Sequence, residues 1–339
     1  MATRGFTMLR GDVSSAVAAA AGAEQAGFGS TWSPEFYTRS AVVTLAAVGQ
    51  ATSACRVGSS IAYATGRSPL ILATDARSLD EVCGGRLVLG LGTGTRRMMR
   101  DWHGVDPDGP AARLEELIPL LRRLWRLHEG PVRHTGRFYR LDITPTAETG
   151  PPVRADIPVF TAGVNRRMIE VAGRVADGFL GHPLFGAAYY DEIVRPAIDA
   201  GAAHSARDPA RIEIAAVVIC AVAEEEEQAR REAASQLAFY AAPKSYAPVL
   251  DVCGFGAAGQ SIRAAFGAGD FEAMRAAVPA AMIDAMAVAG TPAQVGARLV
   301  ALERAVDHVI VYPASFGLSD DRYRELVADL LRYAAPAVA

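Results

Sequence analysis

Arg86-Leu-Val-Leu-Gly-Leu-Gly-Thr-Gly-Thr-Arg96 is the stretch that decides the fold. Leu87 to Leu91 is a short apolar run that reads as a buried strand, and it breaks directly into a loop carrying Gly90, Gly92 and Gly94. A strand that ends this way gathers bare backbone N–H groups at the carboxyl edge of a sheet, where a phosphate can be held. The spacing excludes a dinucleotide fingerprint. Gly90-x-Gly92 is followed by Thr95 where a third glycine is needed, and Gly92-x-Gly94 is followed by Arg97. The next helical pattern starts near Pro110, beyond Trp102, His103, Gly104 and Pro107, so no helix is expected to open at the loop itself. A phosphate loop of another fold is implied.

Outward from that loop, short apolar strands alternate with helical patterns along almost the whole chain. Strands are expected at 5–10, 29–32, 56–62, 87–91, 158–162, 178–181, 212–223 and 308–312. Helices are expected at 13–26, 40–51, 69–82, 111–127, 166–175, 189–200, 224–240, 292–305 and 320–333. Several begin at a good cap: Asp12 before the first, and Thr291-Pro292 in the favoured cap-then-proline order. His134 to Leu141 alternates like a small surface hairpin, and Ala242 to Gly290 reads as a partly helical insertion after the seventh strand. Apolar strands without alternation are those covered on both faces. Eight uninterrupted βα units predict an α/β chain folded as one (β/α)8 TIM barrel, a single domain over residues 1–339. Its site belongs at the carboxyl ends of the strands.

Composition removes several classes of function. The 339 residues carry a net charge of -3 with no basic block, which argues against nucleic acid or an anionic membrane as partner. Lysine occurs once, at Lys244, among 34 basic residues, so Schiff-base, pyridoxal and P-loop chemistry lack their lysine. The six histidines form no HxH or HExxH spacing, so no metal site is expected, and no G-x-S-x-G elbow is present. Cys55, Cys83, Cys220 and Cys253 show no CxxC spacing and read as reduced thiols of a cytoplasmic protein. Val13 to Gly22 superficially resembles a signal peptide, but Asp12, Glu24 and Gln25 flank it and it reads as a first helix. No stretch reaches the ~18 uncharged apolar residues of a membrane span.

Each strand end offers candidates. Trp32-Ser-Pro-Glu-Phe-Tyr37 follows the second strand with aromatics and the carboxylate of Glu35. Ser59, Ser60 and Ile61 follow the third, where small groups let a flat ring approach the backbone. Thr93, Gly94 and Thr95 follow the fourth, with Arg96 beside them; a guanidinium fork suits phosphate. Ala162, Gly163, Val164 and Asn165 follow the fifth and lead into a helix N-terminus, a second anion seat. Gly181 and His182 follow the sixth.

Ala23 to Trp32, Ser78 to Gly94, Thr161 to Asn165 and Ala176 to Phe179 together resemble the bacterial luciferase-like monooxygenase superfamily, and most nearly its branch that uses the deazaflavin coenzyme F420. The resemblance covers most of the chain outside 242–290. It implies a TIM barrel holding a flavin or deazaflavin, and a homodimer. Carried over by position, it implies that Thr93 and Gly94 hold the cofactor phosphate with Ala162, Gly163 and Val164, and that the Ser60–Ile61 peptide is cis beneath the ring. The chain also departs from the sugar-phosphate dehydrogenases of that branch. Those have an acid and a histidine after the second strand, where this chain has Glu35-Phe36, and a glutamate after Thr-Gly, where it has Thr95.

Without that imidazole base, the expected activity is hydride transfer from reduced F420 to a small, largely apolar enone or imine. Glu35, Tyr37 and His182 are the candidate proton donors, and Trp32, Phe36, Trp102 and Tyr312 the candidate walls of the substrate pocket. The alternative within the class is a monooxygenase using reduced FMN and oxygen. The alternative of another class is a barrel that binds a flavin without catalysis.

Overall fold

The structure, a computed structural model, describes residues 3–336. Among the described residues there are twelve strands: β1 (Thr3–Thr7), β2 (Ser30–Ser33), β3 (Arg56–Ser59), β4 (Ala62–Tyr63), β5 (Leu87–Gly92), β6 (Val132–Thr135), β7 (Arg140–Ile143), β8 (Val159–Ala162), β9 (Gly178–Leu180), β10 (Glu213–Val222), β11 (Ala287–Gly290) and β12 (His308–Pro313). The hydrogen-bonded order is β11-β10-β12-β1-β2-β3-β5-β8-β9, and β9 pairs back to β10. Eight parallel strands therefore close into a TIM barrel, as expected. All six residues of β5 are buried, and nine of the ten in β10, which is why both read as unbroken apolar runs.

By their internal packing the residues fall into two compact units. Residues 32–180 and 197–213 form one; residues 1–31, 181–196 and 214–339 form the other. The first carries the glycine loop. Its helix Pro69–Val82 is capped by Ser68 with Pro69 in the first turn, and closes through Gly84 and Gly85, both at positive φ. Arg86, immediately before β5, donates to the carbonyls of Gly49, Thr52 and Cys55, satisfying the C-terminal end of the helix Ala41–Ala51. Buried Asp80 accepts from the Leu87 N–H and pairs with Arg154 (Nε to Oδ2 3.0 Å). The entry to β5 is thus fixed from both sides by charge-assisted bonds.

In the second unit β1, β10 and β12 pair in register, with His308 opposite both Thr3 and Ala215. His308 is fully buried and shares a 2.7 Å hydrogen bond with Ser30. Asp12 caps the helix Val13–Gln25 as expected.

Several strand ends shift by a few residues, β1 to Thr3–Thr7 and β3 to Arg56–Ser59 among them, and three departures are larger. A helix does open at the glycine loop: Arg96–Asp101, capped by the Thr95 hydroxyl. Its six residues hold four charges and no apolar period, so only the cap betrays it. The 242–290 segment is more regular than expected, with helices Ala247–Val252, Gly256–Gly267, Phe271–Ala276 and Ala280–Met286. It ends in β11, which pairs in parallel with the last four residues of β10. The helix expected at 189–200 contains a π-turn, Tyr190–Val194. Among the described residues no helix is long and apolar enough to cross a membrane.

Candidate active site

The strand exits of the glycine-loop unit are built by close backbone approach. Ser59 is buried, and its hydroxyl donates to the Gly90 carbonyl (2.8 Å) and accepts from the Gly90 N–H (2.9 Å). A Cβ on Gly90 would lie 1.8 Å from the Ser59 carbonyl oxygen, so only glycine permits this meeting of β3 and β5. The Ser60–Ile61 peptide is cis, where the resemblance placed it. The Ile61 side chain lies over Gly92, whose Cβ would come within 2.5 Å of it. Thr93 is buried and donates to the Gly94 carbonyl (3.2 Å). Gly94 has φ +67°, with Tyr63 and Met98 where its side chain would grow. Thr95 spends its hydroxyl on the Met98 N–H.

At the exit of β8, the Thr161 hydroxyl is buried with no hydrogen-bond partner among the described residues. Gly163 approaches Met168 so closely that a Cβ would sit 2.3 Å from its side chain. Asn165 caps the helix Arg166–Val175 through the Met168 N–H. Ala162 and Val164 bracket Gly163 in the same loop.

Glu35 has a role that its sequence position did not disclose. Its carboxylate is gripped by both terminal nitrogens of Arg67 (2.6 and 2.8 Å) and accepts the Tyr63 N–H (2.9 Å). Its own N–H donates to the Ile61 carbonyl (3.0 Å). Arg67 continues to Asp75 at 3.0 Å. Burial alone would raise the Glu35 pKa, but the Arg67 and Tyr63 hydrogen bonds together hold it below its usual value. Glu35 is therefore a fixed carboxylate that bolts the loop after β2 to the loop after β3. It has no proton to give, which removes it from the candidate proton donors.

Phe36, Tyr37 and Trp102 form an exposed cluster, with ring centroids 4.2 to 5.4 Å apart. Trp32 does not join them. It is fully buried under Gly58, whose Cβ would lie 2.4 Å from its ring, and contacts Phe160. β2 runs one residue further than expected, to Ser33, and so draws Trp32 into the core. Arg96, Arg97 and Arg100 pair with Asp108 and Asp101 on the surface.

The other unit presents an aromatic wall. His182 stacks on Tyr246 (4.4 Å, 30°) and meets Tyr240 edge-on (4.9 Å, 82°). Its Nδ1 accepts the Leu184 N–H (3.1 Å), which places the proton of the neutral ring on Nε2. Burial pushes its pKa down to about 3. Tyr240 and Tyr312 share a 2.5 Å hydroxyl–hydroxyl bond. Gly181 donates to the Ala215 carbonyl, and any side chain there would collide with the Tyr190 hydroxyl. Sequence reasoning missed Arg67, Tyr240 and Tyr246. The signal for Arg67 was its place in the loop that carries Ser60, and for the tyrosines it was their flanking of Pro243 at the head of the insertion. Among the described residues no group of histidine, cysteine and carboxylate side chains could hold a metal.

The model of the luciferase-like monooxygenase family matches residues 2–308. The chain belongs to that family. It is 30% identical over 283 residues to 5,10-methylenetetrahydromethanopterin reductase of Methanolobus tindarius, covering 82% of this chain and 83% of that one. Its fold matches the coenzyme F420 dependent tetrahydromethanopterin reductase from Methanopyrus kandleri with a TM-score of 0.82 (24% identity, 98% of each chain). It also matches the oxygenating constituent of 3,6-diketocamphane monooxygenase from Pseudomonas putida, solved in complex with FMN. There the TM-score is 0.70 at 16% identity, over 100% of this chain and 99% of that one. The protein is an oxidoreductase of the flavin and deazaflavin class.

Proposed function

We propose that this protein uses coenzyme F420 and reduces a small, largely apolar organic acceptor such as an enone or imine. The observation that carries the cofactor reading is the β5 exit, where Gly92 and Gly94 leave backbone in place of side chains beside the buried Thr93 hydroxyl. The unspent Thr161 hydroxyl and bare Gly163 repeat that chemistry at β8. The residues present fit an anionic tail. Thr93 and Gly94 would hold its phosphate, with Ala162, Gly163 and Val164 completing the seat, and Ile61 would support the ring. The 30% identical relative whose name is that of a reductase, and the F420-dependent reductase among the solved structures, support the deazaflavin over FMN.

When bound, reduced F420 supplies a hydride. The share of this chain is to orient the ring, exclude water and hold a proton donor at the acceptor. His182, neutral above about pH 3, serves as a hydrogen-bond donor and not as an acid. Phe36 and Trp102 would contact the apolar part of the substrate. We extend the proposal to a homodimer acting in the cytoplasm; sedimentation velocity at micromolar protein reads the first part directly.

Fluorescence titration tests the cofactor. F420 is expected to bind in the micromolar range and FMN at least about tenfold more weakly, a difference of about 1.4 kcal/mol. Tighter binding of FMN would overturn the assignment in favour of the oxygen-using monooxygenase. Stopped-flow mixing of the reduced complex with enones and imines separates an enzyme from a mere binder, which would hold F420 and never oxidise it. A Thr93→Ala, Gly94→Ala double variant is expected to lose about tenfold or more in affinity for the coenzyme. Unchanged binding would remove the phosphate seat from β5.

A further inference from the structure

Within the unit that carries the glycine loop, the chain forms a cleft of about 430 Å³ that nothing above uses. Its volume is in the range of small-molecule sites. One side is the loop Thr65-Gly-Arg-Ser-Pro69 leading into the helix Pro69–Val82; His103, Arg113 and Tyr139 line the rest. Two polar groups of these residues have nothing to bond. The Thr65 hydroxyl and the His103 Nε2 are buried without a hydrogen-bond partner among the described residues, and Thr65 as a whole is only 9% exposed. A buried group left in that state costs roughly 1–3 kcal/mol, and native proteins keep few of them. Nor is the imidazole slack. It packs on the Tyr63 ring (4.8 Å between centroids), and its Nδ1 lies 3.2 Å from where a Cβ on Gly66 would stand.

Charge decides what fills the cleft. Arg67 gives both terminal nitrogens to Glu35 and its Nε to Asp75, so two carboxylates already answer its one charge. Arg113 is less committed. Its Nε donates to the Asp108 carbonyl and its guanidinium lies over the Phe138 ring (4.4 Å). Its Nη2 meets Asp106 only at 3.4 Å, and that carboxylate is 65% exposed. A pair that long, with one partner in water, is worth little and is readily exchanged. Burial raises the pKa of Tyr139 and the Arg113 charge opposes the rise, so at neutral pH its phenol is protonated and donates. Among the described residues no carboxylate lines the cleft. Donors on every side call for acceptor atoms, and one loosely paired cation calls for one negative charge. A dianionic phosphate would instead meet the excess charge of Glu35 and Asp75 behind Arg67. Pro69 and Val105 add apolar surface.

We propose that this cleft is a ligand site separate from the β5 seat, and that it takes a small carboxylic acid with a compact apolar ring, bound as its monoanion. The carboxylate meets the Arg113 guanidinium, whose planar fork suits it, and accepts from Thr65 and His103. The ring lies against Pro69, Val105 and Tyr139. No covalent bond is made or broken. The ligand bridges three stretches of chain: the 65–69 loop, the segment after the helix Arg96–Asp101, and the helix Pro110–Trp125. Those stretches gather around Tyr63, whose ring packs on His103 and also closes on Gly94. The site uses neither Thr93 nor Gly94, so it stands whichever coenzyme the protein takes.

Benzoate is the probe, titrated into the protein by calorimetry at pH 7 with no coenzyme added. It is expected to bind saturably at one site with a Kd of about 10⁻⁴ to 10⁻³ M, and benzyl alcohol and inorganic phosphate at least about tenfold more weakly. Arg113→Gln is expected to weaken benzoate by about tenfold or more, and Thr65→Val and His103→Phe by about three- to tenfold each, the worth of one hydrogen bond. The His103 Nε2 signal in ¹⁵N spectra, assigned by its loss in His103→Phe, should shift with the same saturation. Thr65→Val carries a second check. Its hydroxyl has no partner in the chain, so the variant should unfold at the urea concentration of wild type or above it. Marked destabilisation would show the hydroxyl to be spent inside the protein and would overturn the proposal. So would benzoate that does not bind, or that binds all three variants as it binds wild type. Phosphate or benzyl alcohol binding as tightly as benzoate overturns the carboxylate class. No coenzyme enters these measurements, so their failure and that of the F420 reading are told apart.

Discussion

The two units of this molecule build ligand-facing surface in opposite ways. In the unit of residues 32–180 and 197–213, glycines let their neighbours close on bare backbone: the Ser59 carbonyl on Gly90, the Ile61 side chain on Gly92, the Tyr63 ring on Gly94. Its ionisable groups are locked in pairs, Glu35 with Arg67 and Asp80 with Arg154. In the other unit the surface is made of rings, and its polar atoms are phenols and one neutral imidazole. The first kind of surface suits a ligand common to a whole family, because N–H groups read only charge and shape. The second suits a ligand peculiar to this chain, because ring shape and one hydroxyl pair discriminate among apolar molecules. The two surfaces should therefore fail differently when mutated.

The largest effect is expected at Gly90→Ala. The added carbon would sit 1.8 Å from the Ser59 carbonyl oxygen, a backbone atom that cannot swing aside, and 2.7 Å from the end of the Leu180 side chain. A loss of about 3 kcal/mol or more is expected by urea denaturation, or failure to accumulate folded protein. Tyr246→Ala in the aromatic wall should cost only about 1 kcal/mol, because its ring is partly exposed. Similar losses from the two substitutions would break the contrast.

Glu35→Gln comes next, with an expected cost of about 1–3 kcal/mol from leaving Arg67 half-paired in a partly buried setting. The effect carries a pH signature. The folded pKa of Glu35 lies below its ordinary value of 4.5, so its stabilisation is complete above that pH and is lost as pH falls toward the folded value. The gap between wild type and Glu35→Gln, constant from pH 8 to 6, should narrow below about pH 4.5. A gap that widens in acid would mean that the carboxyl is protonated when folded and is available as an acid after all.

Legibility in the sequence follows the same division. The barrel was readable because parallel strands covered on both faces become apolar runs, and because caps such as Asp12 and Thr291 mark where helices begin. The glycine loop was readable because a backbone-built seat is local: Gly92, Thr93 and Gly94 are adjacent in the chain. The helix Arg96–Asp101 escaped because six residues with four charges carry no apolar period. β11 escaped because Ala-Val-Ala-Gly is as compatible with a helix end as with a strand. The partners of the side-chain groups were illegible for a different reason. Arg67 lies 32 positions from Glu35, and Tyr312 lies 72 positions from Tyr240, so only the closed barrel brings each pair together.

The smallest effect sharpens the contrast from the ring side. His182 has an ordinary pKa of 6.5, and burial lowers it to about 3. Between those values the unfolded chain takes a proton that the folded chain refuses, so stability falls as pH falls from about 6.5. The full shift would amount to about 2 kcal/mol at pH 5, and because the ring is partly exposed about 1 kcal/mol is the realistic loss. A His182→Phe variant keeps an aromatic ring against Tyr240 and Tyr246 and has no such proton to refuse. Relative to that variant, wild type should lose about 1 kcal/mol between pH 7 and pH 5, read by urea denaturation at each pH. A constant difference would show that His182 titrates as it does in water, and the aromatic wall would then be a wet surface and not a dry one.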